Sequence, residues 1–222
     1  VLQPLISLAV CTLIFNQSLN IETDVPYPVF FLAGLIPWNL FSKSLLNASS
    51  SVVAETELIR KVYFPRIILP VGSILSNLSD FIITFSLFIG LSLFYPVNFG
   101  LHLLLLPIFL CLTLGLALSL SLWLAPLNVR FRDIQIVVPF MLQILFFISP
   151  LAYPLDNVPE KFRCLLALNP VAGLLEGFRY SLLGVGNPWR IEYLIAYAVM
   201  LVLLLGGIVF FNSNQRRFAD II

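Results

Sequence analysis

The sequence predicts an all-α membrane protein with six transmembrane helices, the first of them truncated. Three observations carry that prediction. Of the 222 residues, 60% are apolar and only 10% are charged, whereas a water-soluble domain carries about 25% charged residues. The stretch from Phe81 to Val129 holds no Asp, Glu, Lys or Arg. The charge-free stretches also alternate with short loops that are rich in cations on every second pass. Lys and Arg number 12 against 11 Asp and Glu, so no net field points to nucleic acid or an acidic substrate. A soluble domain, a disordered chain, a disulfide scaffold and a free-standing nucleic-acid binder are excluded.

A crossing helix needs about 20 largely apolar residues. Residues 1–15 fall short and begin without Met or a basic leader. The chain is therefore expected to be a fragment lacking its native N-terminus, with 1–222 forming one transmembrane domain. Residues 28–52 make the second span. It carries a polar stripe of Lys43, Asn47, Ser50 and Ser51, with Ser42, Ser44 and Ser49 beside it. Lys43 either snorkels to the interface or belongs to a lumen-facing or packed surface.

The next loop, Ala54 to Arg66, places Glu55 and Glu57 ahead of Arg60 and Lys61. That charge order suits a short helix. Leu58, Ile59 and Val62 give it an apolar stripe, and Pro65 stops it. By charge alone the segment is a solvated turn at the headgroups. The functional reading is a helix docked on a cytoplasmic partner.

The third span, 67–95, contains Asp80 near its middle. A bare charge at that depth costs about 2.5–3.5 kcal/mol on the insertion scale, so Asp80 is expected to face other helices or a wet path. Ser73, Asn77 and Asp80 fall at i, i+4 and i+7, one stripe. Helix–helix hydrogen bonding is the plain reading, a pathway lining the next, and a proton relay the least favoured, since no second buried acid is visible. Tyr95-Pro96 and Asn98-Phe99-Gly100 end the span. Residues 101–125 and 134–153 are the fourth and fifth spans, joined by a 126–133 loop, and 191–211 is the sixth.

Between the last two spans lies 156–190, with two helix-start signals. Asn157, Pro159 and Glu160 give a cap, a Pro just inside the start and an early acid. Asn169-Pro170 repeats the cap and Pro, and Gly184 closes that helix. Residues 170–183 make about 21 Å of helix, too short to cross. Val171, Leu174, Leu175, Phe178 and Leu182 line one face, with Glu176 and Arg179 off it. The segment is either a surface cap on the bundle or a re-entrant gate over an exit path.

Cations crowd cytoplasmic loops. Arg60, Lys61 and Arg66, then Arg130 and Arg132, then Arg216 and Arg217 fall on one side, while 16–27 and 95–100 hold none. Six crossings with a cytoplasmic C-terminus follow. Most interfacial Tyr and Trp read as belt anchors, with stacking on sugar rings a minority use.

Catalytic constellations are missing from the sequence. His102 is alone, and Cys11, Cys111 and Cys164 are far apart, with neither metal nor disulfide spacing. No G-x-x-x-x-G-K-[ST] phosphate loop occurs. No catalytic, cofactor-binding or metal-ligating residue is assigned, and any ATP-driven step must come from another polypeptide.

Several strings resemble one family. Val1-Leu-Gln-Pro4, Leu58-Ile-Arg-Lys-Val-Tyr-Phe-Pro-Arg66 with Leu69-Pro70, and Leu127-Asn-Val-Arg-Phe-Arg-Asp133 are similar to ABC-2 type permeases. Pro139, Ile148-Ser-Pro-Leu-Ala-Tyr-Pro154 and Leu168-Asn-Pro170 continue the match in order along the chain. The resemblance is closest to the branch exporting O-antigen, capsule and teichoic-acid polymers. It implies a six-span permease of the bacterial inner membrane, working as a homodimer with ABC ATPase subunits that bind ATP and Mg²⁺. The implied substrate is a lipid-linked polysaccharide.

It further implies that 54–66 is the coupling helix, with Glu55, Glu57, Leu58, Ile59, Arg60, Lys61, Phe64, Pro65 and Arg66 as contacts. Asn128, Arg130, Arg132 and Asp133 belong to the second cytoplasmic loop. Residues 156–184 are then re-entrant periplasmic helices, with Asn157, Pro159, Asn169, Pro170, Glu176 and Arg179 as gate candidates. Lys43, Asn47, Ser73, Asn77 and Asp80 are candidate channel lining from the polar stripes. The family begins with an amphipathic interfacial helix before the first span, which this sequence lacks. Two alternatives remain: an ABC-2 exporter of small molecules, and a membrane enzyme acting on lipid-linked sugars, for which Glu22, Asp24, Asp156 and Glu160 are the available outer acids.

Overall fold

The computed structural model describes residues 2–13, 25–62, 64–95, 97, 99–154, 158, 166 and 169–215. Asn157, Pro159, Arg216 and Arg217, and the acids Glu22, Asp24, Asp156 and Glu160, lie outside the described residues. Every regular element among the described residues is helical. The α-helices are α1 (Leu2–Cys11), α2 (Tyr27–Ala54), α3 (Thr56–Lys61), α4 (Ile68–Ser76), α5 (Leu78–Ser92), α6 (Leu106–Arg130), α7 (Ile134–Ile148), α8 (Pro170–Leu183) and α9 (Ile191–Asn214). A 3-10 turn, Leu101–Leu105, leads into α6.

Among the described residues four segments are long and apolar enough to cross a membrane: Tyr27–Ala54, Ile68–Ser92, Leu101–Arg130 and Ile191–Asn214. The other two expected spans are shorter. α1 has 10 residues and α7 has 15. At 1.5 Å per residue α7 reaches about 22 Å, against a hydrocarbon core of about 30 Å. Ser149 then turns extended and ends it.

α2 is the axis of the bundle. In its most apolar window 78% of residues are buried, against 22–28% in the other three crossing segments. It packs on α4, α5, α6, α7 and α8, while α9 packs on α6 and α8. Phe31, Ala33, Ile36, Leu40 and Ala48 of α2 are within 2% of full burial. Trp38 sits edge-on to Phe146 of α7, ring centres 5.4 Å apart. The outer faces of α5, α7 and α9 carry exposed Ile, Leu, Val and Phe, such as Ile82, Ile136, Phe140, Val202 and Val209, the surface expected against lipid tails.

Two expected elements differ. The third span is broken at Asn77, which separates α4 from α5. The Asn77 amide Nδ2 donates to the Ser73 carbonyl oxygen at 2.7 Å, and its backbone N–H turns to Ile74 at 3.1 Å. A side-chain amide bonded to the carbonyl four residues back disturbs the helical ladder. The 126–133 loop is also shorter than expected, because α6 runs through Pro126 to Arg130. Asn128 and Arg130 are thus its last turn.

Candidate functional site along one buried helix

The polar groups that the sequence singles out fall at three levels along α2. At its C-terminal end the chain turns at Glu55 and forms α3. Glu57 lies in the first turn, Arg60 and Lys61 in the last, each stabilised by the helix dipole. Glu57 and Lys61 form an i,i+4 pair at 3.1 Å. Both are more than 70% exposed, so the pair contributes only about 0.3–0.5 kcal/mol. Ile59 is the residue of α3 that is buried. It packs with Val52, Leu122, Ala125 and Phe211, and Phe64 leans on the same cluster. Leu58 and Val62 remain 42% and 53% exposed, and Glu55, Arg60 and Pro65 are exposed with them. The expected short helix is present, and of its Leu58, Ile59 and Val62 stripe only Ile59 is buried.

The last turn of α6 lies against the same region. Asn128 is 2% exposed and donates from Nδ2 to the Ser49 carbonyl oxygen of α2 at 3.0 Å. It is a buried tie between two helices, unlike Arg130, Arg132 and Asp133, which are exposed. Arg130 lies 5.2 Å from the centre of the Phe131 ring.

At the middle level the two polar stripes meet. Lys43 Nζ reaches Asp80 Oδ2 at 2.6 Å. Asn47 Nδ2 donates to Asn77 Oδ1 at 2.9 Å, and Asn77 returns a bond to Ser73. Lys43 with Asp80 and Asn47 with Asn77 thus pair across a seam between α2 and the α4–α5 break, and Ser73 joins through its backbone carbonyl. The Lys43 and Asp80 side chains keep 39% and 45% exposure, so the seam opens on one side of the chain.

At the N-terminal level of α2 lies α8. Asn169 caps it, Oδ1 accepting from the Val171 N–H at 3.0 Å, and Gly184 closes it at φ 70°, as the sequence predicts. Its surroundings differ from the expectation. Glu176 and Arg179 were expected off the apolar face; both are buried, at 6% and 1% exposure. Apart from Pro170 and Tyr180, every residue of α8 is buried. Small residues explain this: a Cβ at Gly177 would meet the Phe109 ring, and one at Gly173 would meet Tyr193 and Tyr197. Small residues four apart let helices approach closely in membranes.

Arg179 is held through its two terminal nitrogens, while its buried Nε has no hydrogen-bond partner among the described residues. Nη1 donates to the Pro150 carbonyl oxygen at 2.8 Å and Nη2 to that of Leu151 at 2.6 Å. The guanidinium lies 3.8 Å from the Phe30 ring centre, in space that a Cβ at Gly34 would narrow. Tyr27 of α2 donates to the next carbonyl, Ala152, at 2.9 Å. Asn169 Nδ2 bonds Ser149 Oγ at 3.0 Å. The turn after α7 is thus pinned to α2 and α8 together. Burial lowers the Arg179 pKa to about 10, with Glu176, Tyr193 and Tyr27 opposing that shift; at neutral pH the group stays cationic. Glu176 Oε1 accepts from the Asn187 N–H at 3.3 Å, closing the loop toward α9.

Tyr27, read from the sequence as an interfacial belt anchor, instead ties α2 to Ala152, and Phe30, Gly34, Gly173 and Gly177 were not singled out by the sequence. The Gly173-x-x-x-Gly177 spacing was the available signal.

A buried axial helix, an exposed amphipathic helix at one end and an anchored short helix at the other define a polytopic membrane protein. Among the described residues no group of three or more His, Cys, Asp or Glu is placed to hold a metal. Comparison with known proteins narrows the class. The chain belongs to the ABC-2 type transporter family, whose model matches residues 1–183. It is 30% identical over 222 residues to the O-antigen export system permease protein RfbA of Myxococcus xanthus, covering 99% of this chain and 85% of that protein. A protein of the same name from Klebsiella pneumoniae is 28% identical over 94% of this chain and 81% of its own length. The polysialic acid transport protein KpsM of Escherichia coli is 26% identical over 97% and 84%.

Proposed function

We propose that the chain is the membrane-spanning subunit of an ABC exporter that moves a lipid-linked polysaccharide across the bacterial inner membrane, powered by ATP hydrolysis in a partner subunit. The observation that carries this reading is the pair of O-antigen export permeases aligned over 94–99% of the chain. A polysialic acid transporter adds a second polymer class.

In this reading the chain crosses six times, with α1 and α7 as the short spans and the C-terminus in the cytoplasm. α3 is the coupling helix. Its exposed Leu58 and Val62, flanked by Glu57, Arg60 and Lys61, offer an ATPase an apolar centre with charges around it. A push on α3 passes directly into α2, since only Glu55 separates them. The Lys43–Asp80 and Asn47–Asn77 seam faces the path between two copies of the chain, where hydroxyl-rich sugars exchange hydrogen bonds with it. α8 and the turn it pins stand at the outer end as the re-entrant gate, with Arg179 its strut.

Deleting the gene in its host tests the function. Polymer synthesis is expected to continue while the product stays inside, unreachable by an impermeant antibody in intact cells. Normal surface display without the gene would sink the reading.

A further inference from the structure

A cavity of about 440 Å³ lies between α7 and α9, floored by α6 and the start of α8. Its lining includes Phe41, Leu116, Leu120, Leu145, Ile195 and Val199. Among the described lining residues the one polar side chain is Asn169, whose Nδ2 and Oδ1 bond Ser149 and Val171. Water needs two to four polar partners to occupy a cavity, and apolar cavities stay dry. The occupant must therefore be apolar.

Its position says which apolar group is at hand. Ile195 and Val199 are 48% and 52% exposed and belong to the apolar face of α9, which continues through Val202 and Val209, both 69% exposed. The cavity is thus continuous with the surface that meets the bilayer. Along α9 it runs from Ile195 to Leu203, about 12 Å of helix. One leaflet of the hydrocarbon core is about 15 Å deep, half of some 30 Å. The volume falls within the range of small-molecule sites, roughly 300–1,000 Å³.

We infer that this cavity is a binding site for one acyl tail of a bilayer phospholipid, seated between α7 and α9 beneath the N-terminus of α8. The inference rests on the membrane-spanning reading of α9. Filled, the site packs α7 against the rest of the bundle on its otherwise open side.

The test uses the whole chain reconstituted in phosphatidylethanolamine and phosphatidylglycerol vesicles with a trace of phosphatidylglycerol carrying a mid-tail diazirine. After photolysis, adducts are mapped by peptide mass spectrometry. Label is expected on Leu116 and Leu120 of α6, where Leu116 is only 1% exposed, as well as on lipid-facing Val202 and Val209. Val199→Trp, which places an indole in the α9 wall of the cavity and narrows its access to the bilayer, is expected to lose the label on Leu116 and Leu120 while keeping that on Val202. Label on Val202 and Val209 but not on Leu116 or Leu120 in the unaltered chain would overturn the site and leave the membrane reading intact. No label at Val202 and Val209 would overturn both. Adducts on Leu116 that vanish when an isoprenoid-linked glycan is added would assign the cavity to that carrier's tail and overturn the phospholipid assignment.

Discussion

Two short helices, α3 and α8, look alike in the sequence and are opposites in the structure. Each is too short to cross, carries acid and base within a few positions, and has an apolar stripe. α3 buries one residue, Ile59, and exposes its charges. α8 buries 12 of its 14 residues, Glu176 and Arg179 among them. The difference lies in what surrounds them. α3 has one neighbouring cluster and open space on its other faces, so its charges are solvated and cheap. α8 is enclosed by α2, α6 and α9, so its charges require fixed partners. Arg179 has them in two carbonyls and an aromatic face. A charged residue on α3 is therefore free to meet a partner protein, whereas one on α8 is committed to holding the fold.

Substitutions on the two helices and the seam between them separate the two roles, the largest expected loss first. Arg179→Ala strips the Pro150 and Leu151 carbonyls of their donors. Leaving buried acceptors unsatisfied costs about 1–3 kcal/mol each, read as a large fall in thermal unfolding temperature in detergent. Gly177→Ala drives a methyl into the Phe109 ring, and overpacking of that kind costs about 1–3 kcal/mol. An unchanged melting curve would show that α8 is loosely held.

Asp80→Asn tests the middle level. A part-exposed ion pair facing water contributes up to about 1 kcal/mol, so a small loss is expected if the seam faces a wet path. A loss of about 2.5–3.5 kcal/mol would place Lys43 against hydrocarbon instead. The smallest stability effect belongs to Glu57→Ala, which removes an exposed pair with Lys61 and is expected to cost no more than about 0.5 kcal/mol.

How much of this was legible in the sequence follows from the range of each interaction. The bounds of α8 were readable because Asn169-Pro170 and Gly184 act on their own backbone. The charge order of α3 was readable for the same reason. The joining of the Lys43 and Asp80 stripes was anticipated only as two separate polar faces, since nothing local says that residues 37 positions apart will meet. The burial of Arg179 depends on Phe30, Gly34 and the 150–151 carbonyls, all distant in sequence, so helical periodicity placed it outside. The Asn77 break escaped because its cause is one side-chain amide competing for the Ser73 carbonyl within an apolar run.

The central claim is that α3 faces a partner and α8 holds the fold. The double charge reversal Arg60→Glu with Lys61→Glu, measured by co-purification of the ATPase with the tagged permease, tests it most directly. The unfolding temperature is expected to stay within a degree or two, since both residues are exposed and exposed charges contribute little, while the ATPase no longer co-purifies. Undiminished co-purification by a normally folded variant would contradict it.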